Sequence, residues 1–165
     1  MSIYILIFLI FNFDYYFYNE NQILNMYLIE HLLHINAPLN KVYEAIKEVE
    51  NIKQWYTNDV VENSDKTKTF KWGEMFLNAK CNEIENEKIT WEFIESSMPI
   101  ESLYMTYELS ENEGKTRVRF SYGAFTEKSD FYANQNFSSA KYLESLRQFC
   151  QTGNGEAFGS DSYRS

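Results

Sequence analysis

The chain has 165 residues, of which 44% are hydrophobic and 24% charged, and its formal net charge is -9. This length suits one domain with a substantial core. The acidic balance, without any stripe of lysine or arginine, argues against nucleic acid and anionic membrane surfaces as partners.

The cysteines and histidines are too few and too scattered to predict a metal site. Cys81 and Cys150 are far apart, no CxxC spacing occurs, and the two histidines are His31 and His34. We therefore predict no metal and no cofactor. Both thiols are interpreted as small buried hydrophobes in a reducing compartment, which favours a cytoplasmic location.

Residues 1–25 differ from the rest of the chain. IYILIFLIF, residues 3–11, is apolar throughout, and no lysine or arginine precedes Lys41. A secretory signal needs a basic start, and so short a run cannot cross a bilayer, so no integral membrane span is expected. Three interpretations stay open: a disordered or loosely docked extension, a weak membrane-associating segment, or a translated leader ahead of a natural start at Met26. We favour the leader, because the domain pattern begins at Tyr27.

The domain opens with a strand followed by two short helices. Residues 27–36 alternate imperfectly, which predicts a strand with one face buried. Pro38 suits a first helical turn, and helical spacing of apolar residues follows it. Asn51 is predicted to cap the second helix, which carries Trp55 on its apolar side.

A series of alternating segments follows and predicts an antiparallel meander. ITWEFIE, residues 89–95, is typical, because Trp91 and Phe93 share one face while Glu92 faces the other way. Charged turn sequences separate the segments, as in hairpins. Such a sheet has one wet face and one covered face.

A long C-terminal helix is predicted to cover the sheet. Its pattern runs from about Asn136 to Thr152, Gly153 is placed for a C-cap, and the tail 159–165 is predicted to be disordered. The helix is the available lid for the apolar side of the sheet. The predicted inward stripe comprises Phe137, Ala140, Leu143, Leu146 and Cys150.

The motifs INAPLNKVYEAI, ENIKQWYT, ITWEFIE and FSSAKYLESLRQFCQTGNG occur in this order. A chain with these motifs in this order resembles the SRPBCC, or START-like, superfamily. Within that superfamily it resembles proteins similar to the activator of the ninety-kilodalton heat-shock protein's ATPase. The likeness spans roughly Tyr27 to Phe158, within a domain predicted over residues 26–158. It implies an α+β helix-grip fold, with a curved antiparallel sheet wrapped around a long C-terminal helix and two short helices after the first strand. One departure is that FYANQNF, residues 131–137, replaces the GxxW or GW element that many relatives carry before the final helix, which bears on the mouth of the pocket.

The resemblance also implies a cavity between sheet and helix and a frequent role in binding hydrophobic small molecules or lipids. Tyr107, Tyr122 and His31 are candidate polar groups inside it, and no catalytic constellation is predicted. The predicted pocket residues are Trp55, Tyr56, Trp72, Trp91, Phe93, Met105, Tyr107, Phe120, Tyr122, Phe137, Leu143 and Leu146.

The same aromatic residues could instead fill the cavity. An empty space of roughly 300 Å³ costs about 7 kcal/mol, comparable with the stability of a whole domain. Three functions therefore stay open. The first is a non-enzymatic carrier of a hydrophobic molecule or lipid. The second is a protein-interaction or co-chaperone-like module with a collapsed cavity and a chaperone as partner, and the third is an enzyme that uses His31 or Tyr107.

Overall fold

The structure is a computed structural model that describes residues 26–100 and 103–164. The predictions for residues 1–25 lie outside these ranges. Within them the chain forms seven strands and three helices. In chain order these are β1 (Tyr27–Ile35), α1 (Leu39–Lys47), α2 (Val49–Trp55), β2 (Asp59–Glu62), β3 (Thr67–Trp72), β4 (Met75–Ile84), β5 (Lys88–Ser96), β6 (Tyr104–Asn112), β7 (Lys115–Phe125) and α3 (Asp130–Thr152).

The strands of the described residues make one sheet of seven strands in the order β1-β7-β6-β5-β4-β3-β2. Every neighbouring pair is antiparallel, from β1 with β7 to β2 with β3. Each hairpin joins sequence neighbours, and β1 returns to pair with the last strand. The curved sheet and the long final helix confirm the predicted helix-grip, α+β fold.

Alternation along the strands decides which face is covered. In β5, Trp91 and Phe93 are buried while Glu92 and Ile94 are exposed. The cross-strand partner of Trp91 is Met105 on β6, which is also buried. The sheet therefore presents one apolar face to the helices and one wet face to solvent, as the sequence predicts.

The two short helices are fixed to each other by side chains that reach backbone carbonyls. The Nε1–H of the fully buried Trp55 donates to the carbonyl oxygen of Ala45 at 2.8 Å. The predicted cap at Asn51 is wrong, because α2 already begins at Val49 with Glu48 as its N-cap. Asn51 instead donates from Nδ2 to the carbonyl oxygen of Glu44, near the end of α1, at 3.1 Å.

The final helix begins earlier than the sequence pattern predicts. Ser129 is its N-cap and accepts a hydrogen bond at Oγ from the backbone N–H of Tyr132 at 3.4 Å. The helix ends as predicted at Gly153, whose φ of 84° is left-handed. The segment FYANQNF is therefore the start of α3 and not a loop ahead of it.

The predicted inward stripe of α3 is wrong in its first half. Phe137 is 66% exposed and Ala140 is also exposed. Phe137 and Leu146 are nine positions apart, which is about two and a half helical turns, so they lie on opposite sides. The buried side of α3, which packs against the rest of the domain, carries Ser139, Leu143, Leu146 and Cys150.

Residues 159–164, predicted from composition to be a disordered tail, instead lie against the domain. Asn58 donates from Nδ2 to the carbonyl oxygen of Gly159 at 2.7 Å. The guanidinium of Arg164 donates to both carboxylate oxygens of Glu156, at 2.8 and 2.6 Å. The polar residues that suggest disorder thus supply the contacts that hold this segment in place.

Candidate functional site

A cavity of about 360 Å³ lies between α3 and the concave face of the sheet. Its volume is at the lower end of the range of ligand pockets, about 300 to 1,000 Å³. It is lined by Tyr56, Trp72, Met75, Leu77, Met98, Ile100, Met105, Phe120, Tyr122, Phe131, Asn134, Gln135, Ser138, Ser139, Tyr142, Leu143, Phe158 and Tyr163.

Tyr56, at the end of α2, organises the aromatic wall of the cavity. Its ring meets those of Phe70, Trp72 and Tyr142 edge to face, with centroids 5.6, 5.4 and 4.7 Å apart. Its hydroxyl points to the sulfur of Met105 at 3.8 Å. Edge-to-face contacts of this kind fix ring orientation, so this wall is preformed.

The roof of the cavity is the first half of α3. Its lining side chains there include Phe131, Asn134, Gln135 and Ser138, three of which come from the segment that the sequence places before the helix. Asn134 is exposed at its outer side. The departure from the GxxW pattern therefore lies at the cavity itself, where two amides stand beside an aromatic ring.

The start of β4, the loop after β5 and the C-terminal segment supply further parts of the lining. Met75 is the first residue of β4, directly after the β3–β4 turn, and Met98 and Ile100 follow β5. Phe158 and Tyr163 come from the C-terminal segment, where their rings pack at a centroid distance of 5.2 Å. The tail is thus part of the cavity wall.

Among the described residues, the lining of the cavity carries no charged side chain. All of its residues are uncharged side chains: aromatics, aliphatics, methionines, serines and amides. Tyr122 is fully buried, and its hydroxyl has no hydrogen-bond partner among the described residues. Burial raises the pKa of both Tyr122 and Tyr56, so both stay protonated.

The predicted pocket residues divide into three groups. Those that line the cavity are Tyr56, Trp72, Met105, Phe120, Tyr122 and Leu143. Those that are buried in the core away from it are Trp55, Trp91, Phe93, Tyr107 and Leu146. Phe137 points outward, so its assignment to the pocket is wrong.

Sequence reasoning missed much of the remaining lining. Met98, Phe158 and Tyr163 lie in a loop or the C-terminal segment, where strand or helix periodicity does not predict the direction of a side chain. Met75 is the first residue of β4, on the same side of that strand as Leu77, which also lines the cavity. Asn134 and Gln135 lie in the first two turns of α3, ahead of the helix start that the apolar pattern predicts at about Asn136. The signal for the earlier start was Ser129, a favoured N-cap residue, placed directly before Asp130.

The candidate catalytic groups do not come together. His31 lies beside Phe120 with ring centroids 6.1 Å apart, and neither His31 nor Tyr107 lines the cavity. His34, on the opposite face of β1, is exposed. In the part of the chain that the structure describes, no group of three His, Cys, Asp or Glu side chains could hold a metal ion.

A curved antiparallel sheet closed by a long C-terminal helix, with a cavity between them, defines a helix-grip protein. The model of the family described as activator of Hsp90 ATPase homolog 1-like protein matches residues 36–151. The chain therefore belongs to this family, which confirms the resemblance seen in the sequence. No helix within residues 26–100 and 103–164 is long and apolar enough to cross a membrane.

Solved structures agree with this assignment. The Aha1 dimer from Colwellia psychrerythraea is 28% identical, with a TM-score of 0.72 over 79% of this chain and 100% of that one. XoxI from Bacillus cereus is 15% identical, with a TM-score of 0.64 over 76% and 96% of the two chains. DynU16, from the dynemicin biosynthetic locus, is 12% identical with a TM-score of 0.64, covering 83% of this chain and 51% of that one.

The last two similarities show the fold alone, because their identities are low. A comparison with curated protein sequences found no match. Family and fold together support a ligand-binding or co-chaperone-like module.

Proposed function

We propose that this protein binds a hydrophobic small molecule, without catalysis, in the cavity between α3 and the sheet. The observation that carries the proposal is the uncharged, largely apolar lining of a space of about 360 Å³. Ligand pockets share this character: apolar walls with a few placed polar groups. Tyr122, Asn134 and Gln135 are such groups here.

The energetics favour an occupied cavity. A sealed, dry and empty space of 360 Å³ would cost about 9 kcal/mol at about 24 cal/mol per Å³, which is an upper limit here because the cavity opens to solvent beside the exposed Met75 and Asn134. That is comparable with the whole stability of a domain, about 5–15 kcal/mol. Water can hydrogen-bond to polar side chains of the roof, such as Asn134, Gln135 and Ser138, but not to the aliphatic and methionine side chains of the walls, which an apolar ligand would cover.

Mass spectrometry of the gently purified protein under native conditions tests the proposal. We expect a co-purifying small molecule, and thermal stabilisation by members of a lipid and metabolite panel. Ser138→Trp places a bulky ring at the cavity and should abolish both effects. Ala133→Trp, on the exposed side of the same helix and away from the cavity lining, is the matched control and should preserve both. A protein that is always empty and never stabilised would contradict ligand binding.

Family membership and the similarity to the Aha1 dimer favour a second candidate, a protein-interaction module that acts on a chaperone ATPase. The wet face of the sheet is then the surface to test. Arg117 and Arg119 are exposed there on β7, and Arg119 is the cross-strand partner of Glu108. Reversing both arginine charges should abolish capture of Hsp90 while leaving ligand binding intact. Capture that survives the double reversal would argue against this surface.

Cys81 and Cys150 are both free thiols, which supports a reducing, cytoplasmic location. Fractionation of the source cells tests this directly.

A further inference from the structure

The geometry points to a ligand that is uncharged and presents a hydrogen-bond acceptor, such as a ketone, ester or ether oxygen, to the hydroxyl of Tyr122. This inference rests on the proposed function and deepens it, because it names the chemical class of the ligand. Two independent features of the cavity carry it: the lack of charge in its lining, and one buried donor without a partner.

The first feature argues against a ligand that buries an anionic group. A carboxylate or phosphate in this space would lose its hydration and meet no Lys, Arg or His among the lining residues. Burying an unpaired charge is far more costly than burying a neutral polar group. Lys141 and Arg164 line a separate surface groove, to which Tyr163 also contributes. They are already engaged there, because Lys141 donates to the carbonyl oxygen of Arg164 and Arg164 pairs with Glu156.

The second feature is the hydroxyl of Tyr122. Several polar side-chain atoms of the described residues are buried without a partner, and Tyr122 is the residue among them that lines this cavity. Its ring packs against Phe93 and Phe125, with centroids 5.8 and 4.9 Å away, and neither ring can accept a conventional hydrogen bond. A buried donor is normally satisfied, so its partner is expected from a bound molecule.

The other hydroxyls of the aromatic wall have contacts within the protein. That of Tyr56 points to the sulfur of Met105 at 3.8 Å, and that of Tyr142 accepts from Nε1 of Trp72 at 3.1 Å. Because burial raises the pKa of Tyr122, its hydroxyl stays protonated and can donate throughout the physiological range. A neutral acceptor on an apolar body therefore fits the cavity best.

Three probes of matched shape separate charge from hydrogen bonding: benzylacetone, a ketone; butylbenzene, a hydrocarbon; and hydrocinnamate, a carboxylate. Each is titrated into the full chain at neutral pH while the methyl resonances of Met75, Met98 and Met105, which line the cavity, are followed by NMR. The variants are Tyr122→Phe and, as the matched control, Tyr107→Phe. Tyr107 is buried in the core and does not line the cavity.

We expect benzylacetone to bind the unmodified protein about tenfold or more tightly than hydrocinnamate. Tyr122→Phe should weaken benzylacetone binding by about two- to tenfold, the value of one hydrogen bond, and leave butylbenzene binding unchanged. Tyr107→Phe should change neither.

Two results would overturn the inference but leave the proposed function standing: hydrocinnamate binding as tightly as the ketone, or Tyr122→Phe weakening the hydrocarbon as much as the ketone. If no probe perturbs the methionine resonances, the cavity does not admit small molecules, and the proposed function fails together with the inference.

Discussion

The indole Nε1–H of Trp72 donates a hydrogen bond to the hydroxyl oxygen of Tyr142 across 3.1 Å. Trp72 ends β3 and Tyr142 lies in the middle of α3, so this bond joins the sheet directly to its covering helix. Both residues line the cavity, and the ring of Tyr56 packs edge to face against both. This contact therefore helps to hold the helix over the cavity.

Tyr142→Phe should therefore lower the free energy of unfolding by about 1–2 kcal/mol, because it leaves the indole N–H of the buried Trp72 without its partner. Urea denaturation measures the change. Tyr132→Phe is the control, since it removes an exposed hydrogen bond to the carbonyl oxygen of Leu28 and should cost about 0.5 kcal/mol or less. Equal losses in the two variants would show that the Trp72–Tyr142 bond has no special role.

The outward direction of Phe137 gives a second prediction. Phe137→Ala should change the free energy of unfolding by about 0.5 kcal/mol or less, because the side chain is 66% exposed. Leu143→Ala on the same helix should cost about 2–5 kcal/mol, because Leu143 is 5% exposed and packs in the core. Thermal or urea unfolding of both variants compares the two faces. A loss at Phe137 as large as that at Leu143 would restore the stripe predicted from the sequence.

Trp55→Phe should destabilise the protein by about 2–4 kcal/mol. The smaller ring leaves a void at a fully buried site, and the hydrogen bond from Nε1 to the carbonyl oxygen of Ala45 is lost. Because Trp55 does not line the cavity, binding of butylbenzene to the folded variant should be unchanged. A variant of normal stability with impaired binding would instead place Trp55 in the ligand site.

A polar cluster at the edge of the core predicts a pH dependence. The hydroxyl of Tyr43 donates to Glu83 at 2.6 Å, and Nζ of Lys47 lies 3.1 Å from the same carboxylate. The hydrogen bond from Tyr43 lowers the pKa of Glu83, while burial and then the contact with Glu83 raise the pKa of Tyr43 to about 12.

The signs of the two shifts place losses of stability at opposite ends of the pH scale. A lowered carboxyl pKa adds stability above the ordinary value of 4.5, and this is lost as pH falls through the folded pKa. A raised tyrosine pKa adds stability below the ordinary value of 10.0, and this is lost as pH rises towards about 12. The stability difference between the unmodified protein and Tyr43→Phe, measured by urea denaturation, should therefore be flat between these limits and shrink beyond both. A difference that does not vary with pH would contradict the assigned shifts.

The sequence predicts the sheet better than the helix surface, for a physical reason. A strand has a period of two, so Trp91 and Phe93 must share one face, and the charged Glu92 between them marks the other face as the exposed one. On a helix, residues chosen only because they are apolar and three or four positions apart can gradually move from one side of the helix to another. Phe137 and Ala140 are such residues, and they lie on the exposed side. Ser139 occupies the inward position, and a serine gives no hydrophobic signal.

About half of the predicted pocket residues line the cavity. Strand periodicity predicts that a side chain points inward, but it does not predict whether that side chain packs in the core or borders the cavity. Trp91 and Tyr107 fill the core on the same face as Phe120, which reaches the cavity. The walls supplied by Met98 and Tyr163 depend on where a loop and the tail fold back. Contacts between residues far apart in the sequence determine those positions, and local periodicity does not predict such contacts.

Intermolecular nuclear Overhauser effects between bound butylbenzene and the methyl groups of the protein test the central claim most directly. Met105 belongs to the sheet and Leu143 to α3, and both line the cavity. We predict cross-peaks from the same ligand to both methyl groups, because the ligand lies between helix and sheet. Cross-peaks confined to the exposed Leu28 and Leu32 on β1, or contact with neither Met105 nor Leu143, would contradict a binding cavity beneath the final helix.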